Sequence, residues 1–387
     1  MCENHADFRR MSPTPILDRQ QTAPAQPPVK RARSLAIGAA IGLALLFIPG
    51  NFLNNTSSFT PLAEVAVFFA GLFCGVLLHE LGHVAAGIAV GFEFRRILAG
   101  PWMLTRETCG YSLRFVPNHL LGGGYTLMVP RSPEHLLRRF SVFAAGGALT
   151  TALLFLPIAL LPWGPLTVSL LFANLILACC SWAPLEFRGS YTDAKIIQVL
   201  SRQGPAAERL AAVLYLMALD GRGIEPSQWP PQVVANLAAP GGGRAYRAAG
   251  RIFLHVYARE TAPPAEVATT LEQALALAGE MRGDLRRSYF AEAAFWQGLT
   301  NRNAVLARAW LDDARAVKGA VAQKDWDAAS LAAIAIVEGN EPQFREHLKR
   351  ALAFLDRQPG PSGCVAAART RLIKISQLQP DLHDSRP

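Results

Sequence analysis

The chain has 387 residues, 51% of them hydrophobic and only 17% charged, with a formal net charge of +9. Soluble domains carry about a quarter charged residues, so these values argue against a wholly soluble protein and place part of the chain in lipid. The length leaves room for two or three domains, and six cysteines without a C-x-x-C pair argue against both a disulfide framework and a cysteine zinc site.

Residues 1–33 are polar and proline-rich and read as a disordered N-terminal tail. A first apolar span is expected at about 34–53 and a second at 61–90, with an uncharged core from Val65 to Leu78. A third is expected at 140–161 and a fourth at 166–185. Each approaches the ~20 apolar residues that a bilayer requires. The tail holds six Lys/Arg, and segment 92–139 holds seven arginines. The links 54–60 and 162–165 hold no Lys or Arg. This asymmetry predicts a multi-pass protein of the cell membrane with both termini in the cytoplasm. The basic residues lie beside apolar spans, so we read them as topology signals and expect no nucleic-acid partner.

The second span ends in LLHELGHVAAG. Here His79, Glu80 and His83 form H-E-x-x-H, a pattern that chance supplies in about one such chain in a hundred. Four residues apart on a helix, His79 and His83 share a face and can bind one zinc ion. Glu80 lies about 100° round the helix. It is placed to take a proton from a water rather than to bind the metal. Two histidines and a glutamate in lipid cost several kcal/mol (roughly) unless they are paired or ligated. Gly82 and Gly87 suit close packing. A catalytic zinc usually has a third protein ligand. Asp193 is the leading choice and Glu186 the second, with Pro184 breaking the fourth span so that the chain can turn back. The competing role for Asp193 is an N-cap on the helix that follows.

Segment 92–137 holds FEFRRILAGPW, CGYSLRFV and GGGYTLMVP, read as two or three short strands. We read Gly122–Gly124 as a rim turn, and His119 and His135 as surface histidines. Beyond residue 195 the chain is alanine-rich and helical in pattern. Helix pairs are expected to start near Arg244 and Pro264, near Asp284 and Asn303, and near Asp325 and Glu341. In that region His255 and His347 look isolated, and no catalytic constellation is expected.

The H-E-x-x-H in its apolar span resembles the site-2 protease family of membrane-embedded zinc metalloproteases. Phe143–Leu154, FAAGGALTTALL, is similar to that family's A-G-P-x-x-N segment, with Gly147 in place of the proline and Thr151 near the asparagine. Ser181, Pro184 and Asp193 fall on its N-x-x-P and later D-G, although Ser181 replaces the asparagine and Ala194 the glycine. The resemblance implies one zinc ion per chain held by His79, His83 and Asp193, with Glu80 as the catalytic base. It also implies a sheet edge beside the metal that can hold an extended peptide. The helical pairs resemble tetratricopeptide-type repeats, at a period of about 40 rather than about 34 residues.

The expected architecture is mainly α: about four transmembrane helices with a small β element, then a soluble helical region. The domains are expected at 1–33, 34–200 and 201–387. The expected function is a zinc endopeptidase acting on membrane-associated protein or peptide substrates. Two alternatives stay open: a degenerate scaffold whose helical domain binds a protein partner, or a protease that matures a small peptide.

Overall fold

The computed structural model describes residues 61–107, 110–116, 123–187, 190–281, 283–317, 325–358 and 361–377. The tail and the first expected span lie outside the described residues. The described chain is mainly helical with a small antiparallel sheet, and it falls into two compact units dividing between Ala218 and Leu219.

The first unit begins with helix α1, Pro61–Ala89. An antiparallel sheet follows, with β1 at Phe92–Ala99, β2 at Trp102–Glu107, β3 at Gly110–Phe115 and β4 at Gly124–Pro130. The spatial order is β3-β2-β1-β4, which leaves β4 at one edge. Thr126 of β4 stands opposite Ile97 of β1, and Gly124 opposite Ala99. Helices α2 (Leu136–Leu153), α3 (Phe155–Ala159) and α4 (Pro165–Trp182) come next. A two-residue hairpin, β5 Glu186–Phe187 and β6 Ser190–Tyr191, leads to α5 (Asp193–Ser201).

Two stretches among the described residues are long and apolar enough to cross a membrane, Val65–Ala89 and Leu136–Ala159. They correspond to the second and third expected spans. The expected fourth span is a shorter apolar helix, Leu166–Trp182. The sheet has one more strand than the sequence suggested at most, because WMLTRE pairs along its whole length with β3 and from Trp102 to Thr105 with β1.

Helix α1 crosses α2 at two glycines. A Cβ on Gly82 would sit 2.6 Å from the Gly146 carbonyl oxygen and 2.8 Å from the Thr150 Cβ, so the two backbones meet directly. Gly87 instead makes room for the Met128 side chain of β4 and for Phe143. The small residues bring α1 within side-chain reach of both α2 and the sheet edge.

The second unit holds α7 (Pro231–Ala235), α8 (Arg244–Thr261), α9 (Pro264–Leu275), α10 (Gly283–Leu299), α11 (Ala304–Ala316), α12 (Ala328–Val337), α13 (Glu341–Asp356) and α14 (Gly363–Gln377). The helix α6, Pro205–Gly221, precedes α7 and spans the division between units. Leu271, Leu275, Phe290, Trp310 and Leu311 form one core, and Phe295, Phe344, Leu348 and Ile375 another. Paired helices are common to plain bundles and to solenoids, so these bounds alone do not define a repeat.

His255 is not isolated here. It is fully buried, with its Nε2 3.7 Å from a Glu292 carboxylate oxygen and its Nδ1 3.2 Å from the Thr270 hydroxyl. Arg259 and Arg371 also face Glu292, at 3.1 and 3.7 Å. The groups lie on four different helices, so chain order hides the cluster.

Candidate metal centre

Helix α1 carries His79, Glu80 and His83, all buried at 4–7% exposure. The helical step of four residues sets the two imidazoles on one face, with ring centroids 4.8 Å apart and edge to face.

Each histidine is held by the helix packed across it. The Thr151 hydroxyl donates to the Gly147 carbonyl at 3.1 Å and lies 2.8 Å from His79 Nδ1. A hydroxyl has one proton, so both contacts are satisfied only when His79 Nδ1–H is the donor. His83 Nδ1 lies 2.8 Å from the Phe143 carbonyl oxygen, which can only accept, and the Gly147 N–H also points at that nitrogen from 3.3 Å; the shorter contact places the proton on Nδ1. Both rings therefore carry their proton on Nδ1, and each turns an unprotonated Nε2 towards the same space. Gly147 lies beneath that space: a Cβ there would fall 2.7 Å from His79 Nε2 and closer still to His83 Nε2.

Asp193 enters from α5. Helix α4 ends at Trp182, two residues before Pro184, and Ala183 is already extended, as the residue before a proline prefers. The chain turns through β5 and β6. Thr192 then caps α5, its hydroxyl oxygen accepting from Lys195 N while its proton goes to the Ala183 carbonyl at 2.6 Å. The N-cap considered for Asp193 thus falls to Thr192, and the Asp193 carboxylate lies 3.1 Å from His79 Nε2 and 3.4 Å from His83 Nε2. The Ser181 hydroxyl donates to its Oδ2 at 2.7 Å.

Three ligand atoms, one each from His79, His83 and Asp193, lie within 4.8 Å of one another and could hold a metal ion. Two imidazole nitrogens and one carboxylate oxygen form a donor set that suits zinc with one position left open. The fixed Nδ1 protons are the outer bonds such ligands normally make. Glu186, the second choice, is exposed on β5 and outside this cluster. His135 lies at the start of α2, also outside it, and His119 and Gly122 fall outside the described residues. Asn174 donates to the Thr151 carbonyl at 3.1 Å, on the backbone behind the site.

Sequence reading missed one contributor. Thr126 of β4 donates its hydroxyl proton to Glu80 Oε2 at 2.6 Å. Alternation along β4 puts Gly124, Thr126 and Met128 on one face, and all three meet α1. That periodicity was readable, but which face meets α1 was not.

A helical membrane protein with H-E-x-x-H and a nearby aspartate drawn from separate helices belongs to the class of membrane metalloproteases. A sequence profile of peptidase family M50 matches residues 67–350, most of the chain. The chain belongs to peptidase family M50, whose members are membrane proteases and in general zinc-dependent. No curated protein and no solved structure is similar enough to the chain to count as a match.

Proposed function

We propose that the protein is a zinc-dependent endopeptidase that cuts membrane-associated polypeptides at or within the membrane. His79, His83 and Asp193 are the metal ligands in this reading, and Glu80 is the general base. The observation that carries it is the convergence of two imidazole nitrogens and one carboxylate oxygen within 4.8 Å of one another, with Glu80 buried beside them. His79, His83 and Asp193 would hold the zinc, which when bound would supply Lewis-acid chemistry for a peptide carbonyl and a water.

The chain's own residues do the rest. Thr151 and the Phe143 carbonyl fix the tautomers of the two histidines. Ser181 orients Asp193. Glu80 removes a proton from water as the oxygen attacks the carbonyl carbon, then returns that proton to the leaving amine nitrogen. The flanking free edge of β4 offers backbone groups to an extended peptide.

Four spans, cytoplasmic termini and a helical C-terminal region of tetratricopeptide type that binds a protein partner complete the proposal. The scaffold alternative gains no support from a site whose polar groups are each oriented by a neighbour.

The test uses Glu80→Gln in the full chain. Comparison of membrane peptides between cells carrying wild type and the variant should show products in wild type alone, with about one zinc per chain in both purified proteins. His79→Ala should lose the metal. Turnover by Glu80→Gln at the wild-type rate would refute the assigned base.

A further inference from the structure

Thr126 sits where it can decide which oxygen of Glu80 reacts. Its hydroxyl lies 2.6 Å from Oε2 and 3.2 Å from the Glu80 carbonyl oxygen. Both are acceptors, so the hydroxyl proton goes to the glutamate, and the short bond to Oε2 is the charge-assisted one. The other oxygen is treated differently. Gly124, two residues earlier on the same strand face, leaves open the space that its own Cβ would otherwise take from Oε1. Among the described residues no donor reaches Oε1. A glutamate has three rotatable side-chain bonds, and without a fixed partner its carboxylate samples several orientations. One strand therefore ties one oxygen and clears the other.

We propose that Thr126 is a positioning residue for the peptidase reaction, holding Glu80 by Oε2 so that Oε1 is the oxygen that carries the proton. The inference rests on the proposed role of Glu80. In the forward step the O–H bond of water breaks, its proton forms a bond to Oε1, and the water oxygen bonds to the carbonyl carbon as the C=O π pair moves onto the carbonyl oxygen. In the return step the Oε1–H bond breaks, the proton goes to the amine nitrogen, and the C–N bond opens with its pair left on nitrogen as the oxygen's pair re-forms the C=O bond. Oε2 keeps the Thr126 hydrogen bond throughout, so the carboxylate does not rotate between the two transfers. Losing that anchor leaves substrate binding alone and lowers the fraction of time in which Oε1 points at the water.

The experiment compares Thr126→Val, which keeps the shape and removes the hydroxyl, with Thr126→Ser, which restores it. Glu80→Gln is the reference. The full chain is placed in phosphatidylcholine vesicles with a quenched-fluorescent peptide of about 20 apolar residues. The expected result for Thr126→Val is a kcat lower by about 10- to 100-fold, in the range seen when outer hydrogen-bond partners are removed. KM and zinc content should stay at wild-type values, and Thr126→Ser should recover most of the rate.

A second readout does not depend on turnover. The Glu80 carboxylate stretch, isolated by infrared difference against Glu80→Gln, should shift in Thr126→Val and return in Thr126→Ser. Wild-type kcat and an unshifted band in Thr126→Val, with Glu80→Gln inactive, overturn this inference and leave the assigned base standing. Activity in Glu80→Gln overturns both. Loss of zinc in Thr126→Val without rescue by serine assigns Thr126 a structural role and also overturns it.

Discussion

Thr151 offers the sharpest test of how the ligands are held. It is fully buried, and its oxygen accepts from His79 Nδ1 at 2.8 Å while its proton serves the Gly147 carbonyl. Thr151→Val keeps the volume and removes only the hydroxyl, so packing is nearly unchanged. His79 Nδ1–H then has no acceptor in a buried place, which costs about 1–3 kcal/mol. The imidazole can recover part of that by rotating, but rotation carries Nε2 away from the metal. Outer partners of metal-bound histidines typically contribute 10- to 100-fold in affinity, or about 1.4–2.8 kcal/mol. The two estimates agree, and zinc should bind roughly 10- to 100-fold more weakly. The assay is a competition titration of detergent-purified protein against a zinc-binding dye, with Thr151→Ser as control. Equal zinc affinity in wild type and Thr151→Val would show that His79 is oriented by something else, and the tautomer argument would fail.

Gly82→Ala should loosen the crossing of α1 and α2, because its Cβ meets the Gly146 carbonyl, which has no rotamer to yield. We expect a loss of about 1–3 kcal/mol, read as a lower thermal midpoint in detergent together with lower zinc occupancy; an unchanged midpoint would contradict the packing. The buried cluster of the second unit predicts a pH dependence. Burial works to raise the Glu292 carboxyl, but Arg259 and Arg371 reverse this and hold it well below its ordinary value. Burial, with Arg259 and Arg371, also holds His255 below its ordinary value, so it stays neutral when folded. Both shifts give stability that is present above the unfolded pKa and lost as pH falls. The His255 loss begins below about pH 6.5, and the Glu292 loss below about pH 4.3. Hydrogen exchange of α8 and α10 in the full chain should accelerate in those windows, and Glu292→Gln should remove the lower one. Exchange in α8 and α10 that does not change with pH, after correction for the intrinsic rate, would refute both assignments.

The residues of the candidate metal centre could be picked out because their geometry is local or because a known family supplies it. Four residues of helix fix His79 and His83 relative to each other before any tertiary structure forms. Asp193 was named because Pro184 lets the chain turn back after the fourth span, a choice the family likeness strengthened, and its competing reading as a cap failed for a local reason, since Thr192 caps the helix instead. The β2 strand was missed because Met103, Leu104, Thr105 and Arg106 do not alternate apolar and polar. Its pairing with β1 across Gly100 and Pro101 overrides that pattern. The His255 cluster was missed because its glutamate lies two helices away in sequence. Thr126 was missed because a strand's alternation defines two faces without saying which one meets the helix.

Helix α2 shows how much a motif can hold without announcing it. FAAGGALTT carries the family likeness, and Gly147 and Thr151 depart from it. In the fold, Phe143, Gly147 and Thr151 repeat the same four-residue step as His79 and His83, so two helices face each other in phase across the backbone contact of Gly82 and Gly146. One turn of α2 supplies the carbonyl that holds His83. The next gives up its Cβ so that both imidazoles can converge, and the third supplies the hydroxyl that holds His79. A proline at 147 would bring ring atoms into the place that Gly147 leaves clear. Gly147→Pro should therefore harm the site more than changing a residue on the opposite face of α2.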